Sequence, residues 1–385
     1  MQPTNNNTHN IVYMIDGLGW GGAERLMIPI LSNINKKKFN VRVCVLQNKD
    51  GNPVANELRE IGINVDMLSV RHLRDLTAIP RIKSYLQRVK TDLLHAQLEF
   101  ATVLGGLAAK SLHIPSVVTL HTIPENEEGL KSNIHLILEN FILRNFIDRV
   151  VSVSEETQRF YLRTAKLSNK KSCVIYNGID VNKYSVNASD HSQVLKEFDI
   201  PPTAVVLTTV AVLREPKGIQ YMIQAMPALV NANPQIYYLI VGGGEYFESL
   251  QNEVKNLGVD KNVRFAGARK DIPSILSASD LFVLPTLTEA LPTVLAEAMA
   301  ANLPIVASRV GGVPEMIQDG INGKLIEPAN PEILAAVCLE MLNDRQSLRQ
   351  MGIAGGKIAE EKFNIKSQVQ QLQDLYNQLM LQKTY

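Results

Sequence analysis

The chain has 385 residues with a formal charge of +1; 45% are hydrophobic, 20% charged and 6% aromatic. That length suits two domains of common size better than one, and the composition excludes a disordered or strongly basic nucleic-acid-binding protein, so no nucleic-acid partner is expected. Cys44, Cys173 and Cys338 lie far apart in apolar surroundings, which fits small core residues in a reducing compartment and excludes a disulfide or zinc framework.

The first ten residues, Met-Gln-Pro-Thr-Asn-Asn-Asn-Thr-His-Asn, are polar. No apolar run reaches the ~20 residues that span a bilayer, so a cytoplasmic protein is expected. Residues 11–15 form an apolar run of strand character that leads through Asp16-Gly17-Leu18-Gly19-Trp20-Gly21-Gly22 into a helical segment at 23–34. Glycines there let backbone N–H groups, those of Gly21 and Gly22 above all, approach phosphate oxygens at a helix mouth. The same string fits the dinucleotide pattern Gly-x-Gly-x-x-Gly. The next strand, 41–46, ends in Gln47-Asn48 with no carboxylate to hold a ribose, which tells against a dehydrogenase.

Strands are expected at 65–68, 93–96, 117–120, 150–153 and 174–176, with helices at 101–112 and 134–146 between them, giving one open α/β sheet. Residues 1–190 carry a formal charge of +5 and the remainder −4. The basic excess includes Lys36, Lys37 and Lys38 and the series Arg71, Arg74, Arg81, Lys83, Arg88 and Lys90. A solvated helix face and a peripheral contact with anionic lipid at the inner face of a membrane both account for it. His121 follows the strand at 117–120, where a histidine can donate one N–H to an oxyanion; His95 is open between core and site, and the other histidines show no metal-ligand pattern.

A stretch rich in Asn, Ser and Asp at 185–192 reads as a linker, after which a second α/β series begins, with strands at 205–212, 237–241, 263–265, 281–284, 305–307 and 324–326. The first of these runs into Leu213-Arg214-Glu215-Pro216-Lys217-Gly218. A lysine at a helix start runs against the dipole preference for anions, so Lys217 reads as a phosphate ligand before it reads as a solvated residue. Gly242-Gly243-Gly244 follows the next strand and is either a tight turn or a pocket floor, and Arg269 and Asp271 follow the one after. Then comes Pro285-Thr286-Leu287-Thr288-Glu289-Ala290-Leu291-Pro292-Thr293, leading into a helix that carries Glu297. Glu289 at a helix mouth and Glu297 inside the helix suit hydrogen bonds from sugar hydroxyls beside a phosphate; a helix cap and a solvated glutamate are the competing reading. Helices are expected at 331–342, 344–361 and 365–380.

Gly-Gly-Ala-Glu-Arg (21–25), Val-Ser-Val-Ser-Glu-Glu (151–156), Tyr-Asn-Gly-Ile-Asp (176–180), Lys-Gly-Ile (217–219) and the paired glutamates occur in an order that resembles the retaining family 4 (group 1) glycosyltransferases over nearly the whole chain. The resemblance implies the GT-B fold, α/β with two Rossmann-like domains facing across a cleft. The domains fall at 1–184 and 185–363, and the last helix, 364–385, crosses back to the first. It implies transfer of a sugar from a nucleoside diphosphate sugar, UDP-linked, to a glycan, lipid-linked or small-molecule acceptor. Lys217, Glu289 and His121 are then catalytic. Gly21, Gly22, Arg214, Lys217, Gly243, Arg269, Asp271, Glu289, Ala290, Leu291, Pro292, Thr293 and Glu297 bind the donor.

No cofactor is implied, and without any Asp-x-Asp triplet no bridging metal. The sequence departs from the family in two places: Val212 stands where an arginine is usual, leaving Arg214 as its substitute, and Ala290 where a glycine is usual. A sugar-nucleotide epimerase on the same fold and a non-catalytic nucleotide-sugar sensor are the alternatives.

Overall fold

The protein is described by a computed structural model over residues 8–19, 21–75, 77–124, 130–184 and 188–382. Its contacts divide it into two units, one made of residues up to Asn177 together with those from Ile365 onward, the other of Gly178–Asn364.

The first unit is built on seven parallel strands: β1 (His9–Ile15), β2 (Phe39–Val45), β3 (Asn64–Met67), β4 (Leu93–Gln97), β5 (Ser116–Leu120), β6 (Arg149–Ser152) and β7 (Ser172–Val174), in the order β3-β2-β1-β4-β5-β6-β7. β1 shows why its sequence is so apolar. Ile11, Tyr13 and Ile15 enter one core and Val12 and Met14 the other, so both faces of the sheet are covered. The final helix, Ile365–Gln382, seals the first of these cores with Val369, Leu372, Leu375, Tyr376 and Leu379. Tyr376 Oη lies 2.5 Å from Tyr13 Oη and 2.6 Å from His95 Nδ1, and His95 Nε2 lies 2.7 Å from Thr119 Oγ1. His95 is therefore a core residue with both ring nitrogens partnered, and burial holds its pKa down at about 3.

The second unit carries six parallel strands: β8 (Val205–Val210), β9 (Ile236–Val241), β10 (Val263–Gly267), β11 (Leu281–Leu284), β12 (Ile305–Ser308) and β13 (Gly323–Ile326), in the order β10-β9-β8-β11-β12-β13. In both sheets the order reverses beside the first strand, between β1 and β4 and between β8 and β11. Helices leaving the two central strands pass to opposite faces there, and the loops they leave behind open a crevice at the strand C-terminal ends.

Three expectations need correction. Residues 188–192 are not linker but open the helix Ala188–Glu197, whose Val194 and Leu195 are buried; residues 185–187 lie outside the described ones. Short polar residues that read as loop are also those favoured at helix starts. The helix expected at 101–112 begins as a π-helical turn, Ala101–Gly105, before the α-helix Gly106–Ser111. Pro292, which as a proline opening an apolar helical run is expected in the first helical turn, instead caps the helix Thr293–Ala300 in an extended conformation.

Candidate functional site

At the switch point of the second sheet the loops after β8 and β11 are stitched together. Leu287 N–H donates to the Pro216 carbonyl at 2.8 Å, and Thr286, fully buried, places its hydroxyl 3.1 Å from the same oxygen. Gly218 makes this approach possible: its φ is +68°, and a Cβ there would run into the Pro285 carbonyl. The short 3₁₀ turn Glu215–Lys217 then points Lys217 at the neighbouring loop, where its Nζ donates to Glu289 Oε1 at 2.5 Å. The two side chains are 20% and 13% exposed, so the pair is largely but not wholly withdrawn from water.

Glu289 is held from its other side by the loop after β12. Gly311, at φ +49°, packs so closely under it that a Cβ would strike the Glu289 carbonyl, and Gly312 N–H faces the same oxygen at 3.4 Å. Ala290, Leu291 and Pro292 carry the chain into the helix Thr293–Ala300. Pro292 offers no side chain to cap that helix, and the Leu295 N–H is taken by the Pro292 carbonyl at 3.1 Å, so the Thr293 and Val294 N–H groups are the ones that can face an anion. Glu297 is half-buried one turn further in. Gly243, after β9, accepts from Leu213 N–H at 3.0 Å and so borders the β8 loop. Arg214 is exposed at the cap of the 3₁₀ turn, and Val212 exposes an apolar side chain beside it.

Arg269 and Asp271 do not join this group. The Arg269 guanidinium grips Asp271 at 2.8 Å, pairs with Glu197 and lies over the Phe198 ring, which fastens the helix Ala188–Glu197 to the loop after β10. Those bonds hold the Arg269 pKa above its usual range and the Asp271 carboxyl below its own. With its donors taken by two carboxylates, Arg269 has little left for a ligand.

This arrangement offers one cation, an uncapped helix mouth and two carboxylates, a set suited to an anionic group bonded to a polyol. The description "Glycosyl transferases group 1" matches residues 191–358, and "Glycosyltransferase Family 4" matches 20–183. The chain belongs to the group 1, family 4 glycosyltransferases.

The N-acetyl-alpha-D-glucosaminyl L-malate synthase of Bacillus anthracis is 29% identical over 309 residues, 78% of each chain. The UDP-Gal:alpha-D-GlcNAc-diphosphoundecaprenol alpha-1,3-galactosyltransferase of Escherichia coli is 25% identical over 374 residues, 94% of this chain and 95% of that one. Anabaena HepE in complex with UDP superposes with a TM-score of 0.86 at 25% identity, covering 96% of this chain and 100% of that one. The fold of this glycosyltransferase is accordingly GT-B.

The first unit of the glycosyltransferase holds the remaining expected residues. Gly21 caps the helix Gly22–Asn33 without help from a cap side chain of its own; the Glu24 carboxylate instead folds over Gly21 and occupies the space beside it. His121 sits half-buried after β5 with Nε2 3.2 Å from Gln97 Oε1, and desolvation lowers its pKa to about 4. The ring is neutral near pH 7. Which ring nitrogen carries the proton is set by the orientation of the Gln97 amide that faces Nε2.

Sequence reasoning missed a carboxylate group at the switch point of this sheet. Asp16 accepts from Phe100 N–H at 3.0 Å and Ala101 N–H at 2.8 Å, and burial pushes it up to about 6. Glu139 is pushed up to about 7, by burial first and then by Glu99 and Asp16. The position of Asp16 at a strand tip was the available signal, masked by the glycines around it.

Proposed function

We propose that the protein transfers a sugar, with retention of configuration, from a UDP-linked donor to a hydroxyl of a glycan, lipid-linked or small-molecule acceptor. The observation that carries this reading is the Lys217–Glu289 pair, contributed by the two switch-point loops of the second sheet beside an uncapped helix mouth. UDP is supported as the nucleotide by the HepE complexes with UDP and UDP-glucose and by the UDP-Gal donor of the Escherichia coli relative.

In this reading the diphosphate lies at the N–H groups that open the helix Thr293–Ala300. Lys217 meets its oxygens, seconded by Arg214, while Glu289 and Glu297 accept from sugar hydroxyls. Gly243 borders the nucleotide, and Gly21, Gly22 and His121 of the first unit are assigned further donor contacts. Arg269 and Asp271 position their loop.

As the bond between the anomeric carbon and the phosphate oxygen breaks, the acceptor oxygen bonds to that carbon from the same face. The acceptor proton passes to the departing phosphate. Negative charge grows on the leaving diphosphate, where the Lys217 ammonium and the fixed amides stabilise it more than in the ground state.

A panel of UDP-sugars read by thermal stabilisation identifies the donor, since a ligand that binds only the folded chain shifts unfolding by mass action. Anomeric proton signals of the product then report its configuration. Failure of every donor to stabilise the protein, or a product of inverted configuration, overturns the proposal. A free epimer or hydrolysed sugar formed without acceptor marks the epimerase alternative.

A further inference from the structure

The second unit has a groove at the edge of its sheet opposite the Lys217–Glu289 pair. It opens at the N-terminal ends of β8, β11 and β12, where Val205, Asp280 and Pro304 lead into their strands, and the start of the helix Arg345–Lys362 forms its outer wall. Its volume is about 560 Å³, within the range of sites that take small molecules. β8 has six residues and spans roughly 20 Å, so a small molecule in the groove does not reach the loops at the other end of that strand. The wall is closely seated. Gly352 lets the helix approach until a Cβ there would strike the Asn302 carbonyl, and Asn302 itself lines the groove.

Arg345, Arg349 and Ile353 follow one another at intervals of four along the helix, so they share a face, and that face lines the groove. The second unit's other arginines have work elsewhere. Arg264 donates to backbone carbonyls, Arg269 to two carboxylates, Arg309 pairs with Glu327, and Arg214 stands at the crevice. Arg345 and Arg349 are exposed and make no ion pair among the described residues. The Asp344 carboxylate at the helix start is engaged by Ser347 N–H at 2.9 Å, and the first turn carries no acidic residue, although the helix dipole favours anions there. Arg345 lies near enough to Asp280 to favour its charged form, but burial dominates and holds that carboxyl above its ordinary range, and its Oδ2 already accepts from Val206 N–H at 2.8 Å.

Two guanidinium groups one helical turn apart match the oxygens of a phosphate better than the two of a carboxylate. Beside them Leu303 and Pro304 are buried, Leu348 is half-buried and Ile353 is exposed, a surface for an apolar body. Asp280 at the strand end repels a second anionic group, so a single phosphate fits better than a diphosphate.

We propose that this groove is a second ligand site, for a phosphate monoester whose dianion lies between Arg345 and Arg349 and whose apolar body rests on Leu303, Pro304, Leu348 and Ile353. The inference goes beyond the transfer reaction and is tested without any donor. Melting of the full chain is followed against inorganic phosphate and against phenyl phosphate at constant ionic strength, with chloride as the balancing anion.

Charge-assisted contacts from two arginines suit a dissociation constant of about 1 mM for inorganic phosphate. At about 10 mM it should then raise the melting temperature of the second unit by about 3–6 °C beyond chloride. Phenyl phosphate should bind about fivefold more tightly through the ring it buries. Arg345→Ala with Arg349→Ala should weaken both ligands at least about tenfold. Both side chains are exposed, so the unliganded melting temperature should be retained. Lys217→Ala, in the crevice, should keep the phenyl phosphate shift. A wild-type chain that phosphate stabilises no more than chloride overturns the proposal. So do shifts that the arginine variant retains in full, shifts that Lys217→Ala abolishes, or phenyl phosphate that binds no more tightly than inorganic phosphate.

Discussion

Lys217 and Glu289 are 72 residues apart in the chain and 2.5 Å apart in space, so substituting each separates two roles that the pair combines. Opposite charges at that distance attract by about 7 kcal/mol at an effective dielectric of ~20, and most of this is offset by desolvation. With both side chains mostly but not fully buried, a double-mutant cycle on unfolding free energy should return a coupling of about 1–3 kcal/mol.

Binding should split differently. A charge-assisted hydrogen bond to a diphosphate is worth about 1.5–3 kcal/mol, so Lys217→Ala should weaken UDP about tenfold to a hundredfold. Glu289→Gln removes a carboxylate that competes for the same ammonium. It should leave UDP within about threefold of wild type while abolishing the extra affinity that the sugar of a UDP-sugar contributes. Isothermal titration of both variants with UDP and with the donor identified by thermal shift measures all four quantities. Unchanged UDP affinity in Lys217→Ala, or equal loss of UDP and of the sugar increment in Glu289→Gln, refutes the division of labour.

Gly311→Ala places a methyl group against the Glu289 carbonyl at a positive φ; a cost of about 1–3 kcal/mol in urea unfolding is expected, together with loss of the sugar increment, and an unperturbed variant would show that the loop after β12 does not hold Glu289. Ending the chain at Asn364 uncovers Val369, Leu372, Leu375, Tyr376 and Leu379, on the order of 10 kcal/mol of burial and as much as a whole domain's stability. That truncation should yield no cooperative melt from the first unit, and a normal melt would refute the packing argument. His95, depressed to about 3, stays neutral in the fold while the unfolded chain takes up a proton below about pH 6.5. Its contribution is thus complete above that pH and lost on acidification toward 3, at about 1.4 kcal/mol per pH unit. The stability of His95→Gln relative to wild type should therefore rise as pH falls through that window, and parallel pH profiles would contradict the assignment.

The strands were readable because a parallel strand covered on both faces must be apolar throughout. Leu281–Leu284 is such a run, bounded by Asp280 and Pro285, and nothing else in its neighbourhood could be one. Partnerships across the chain were not readable. Arg269 has Asp271 two residues away, which any reader of the sequence sees, but the Glu197 that completes its clamp comes from a helix that the Asn and Ser around 185–192 disguised. The place of His121 at a strand tip was readable, but its proton position depends on Gln97, one strand over.

The position of the Lys217–Glu289 pair follows from the strand order more than from either residue. With β8 beside β11, the connections from their C-terminal ends go to opposite faces of the sheet, and the gap between them cannot be filled by either helix. Whatever stands on those two loops must face whatever stands on the other. A lysine alone there would keep most of its rotamer freedom and lose it again on binding an anion; held by Glu289, which Gly311 holds in turn, it is ordered before a ligand arrives. The same bond must then loosen for the ammonium to reach a diphosphate. In the proposed donor complex the sugar assists this by offering hydroxyls to Glu289 in place of the ammonium, so a diphosphate that carries a sugar draws its counter-charge away more readily than UDP alone, which must compete with Glu289 for it.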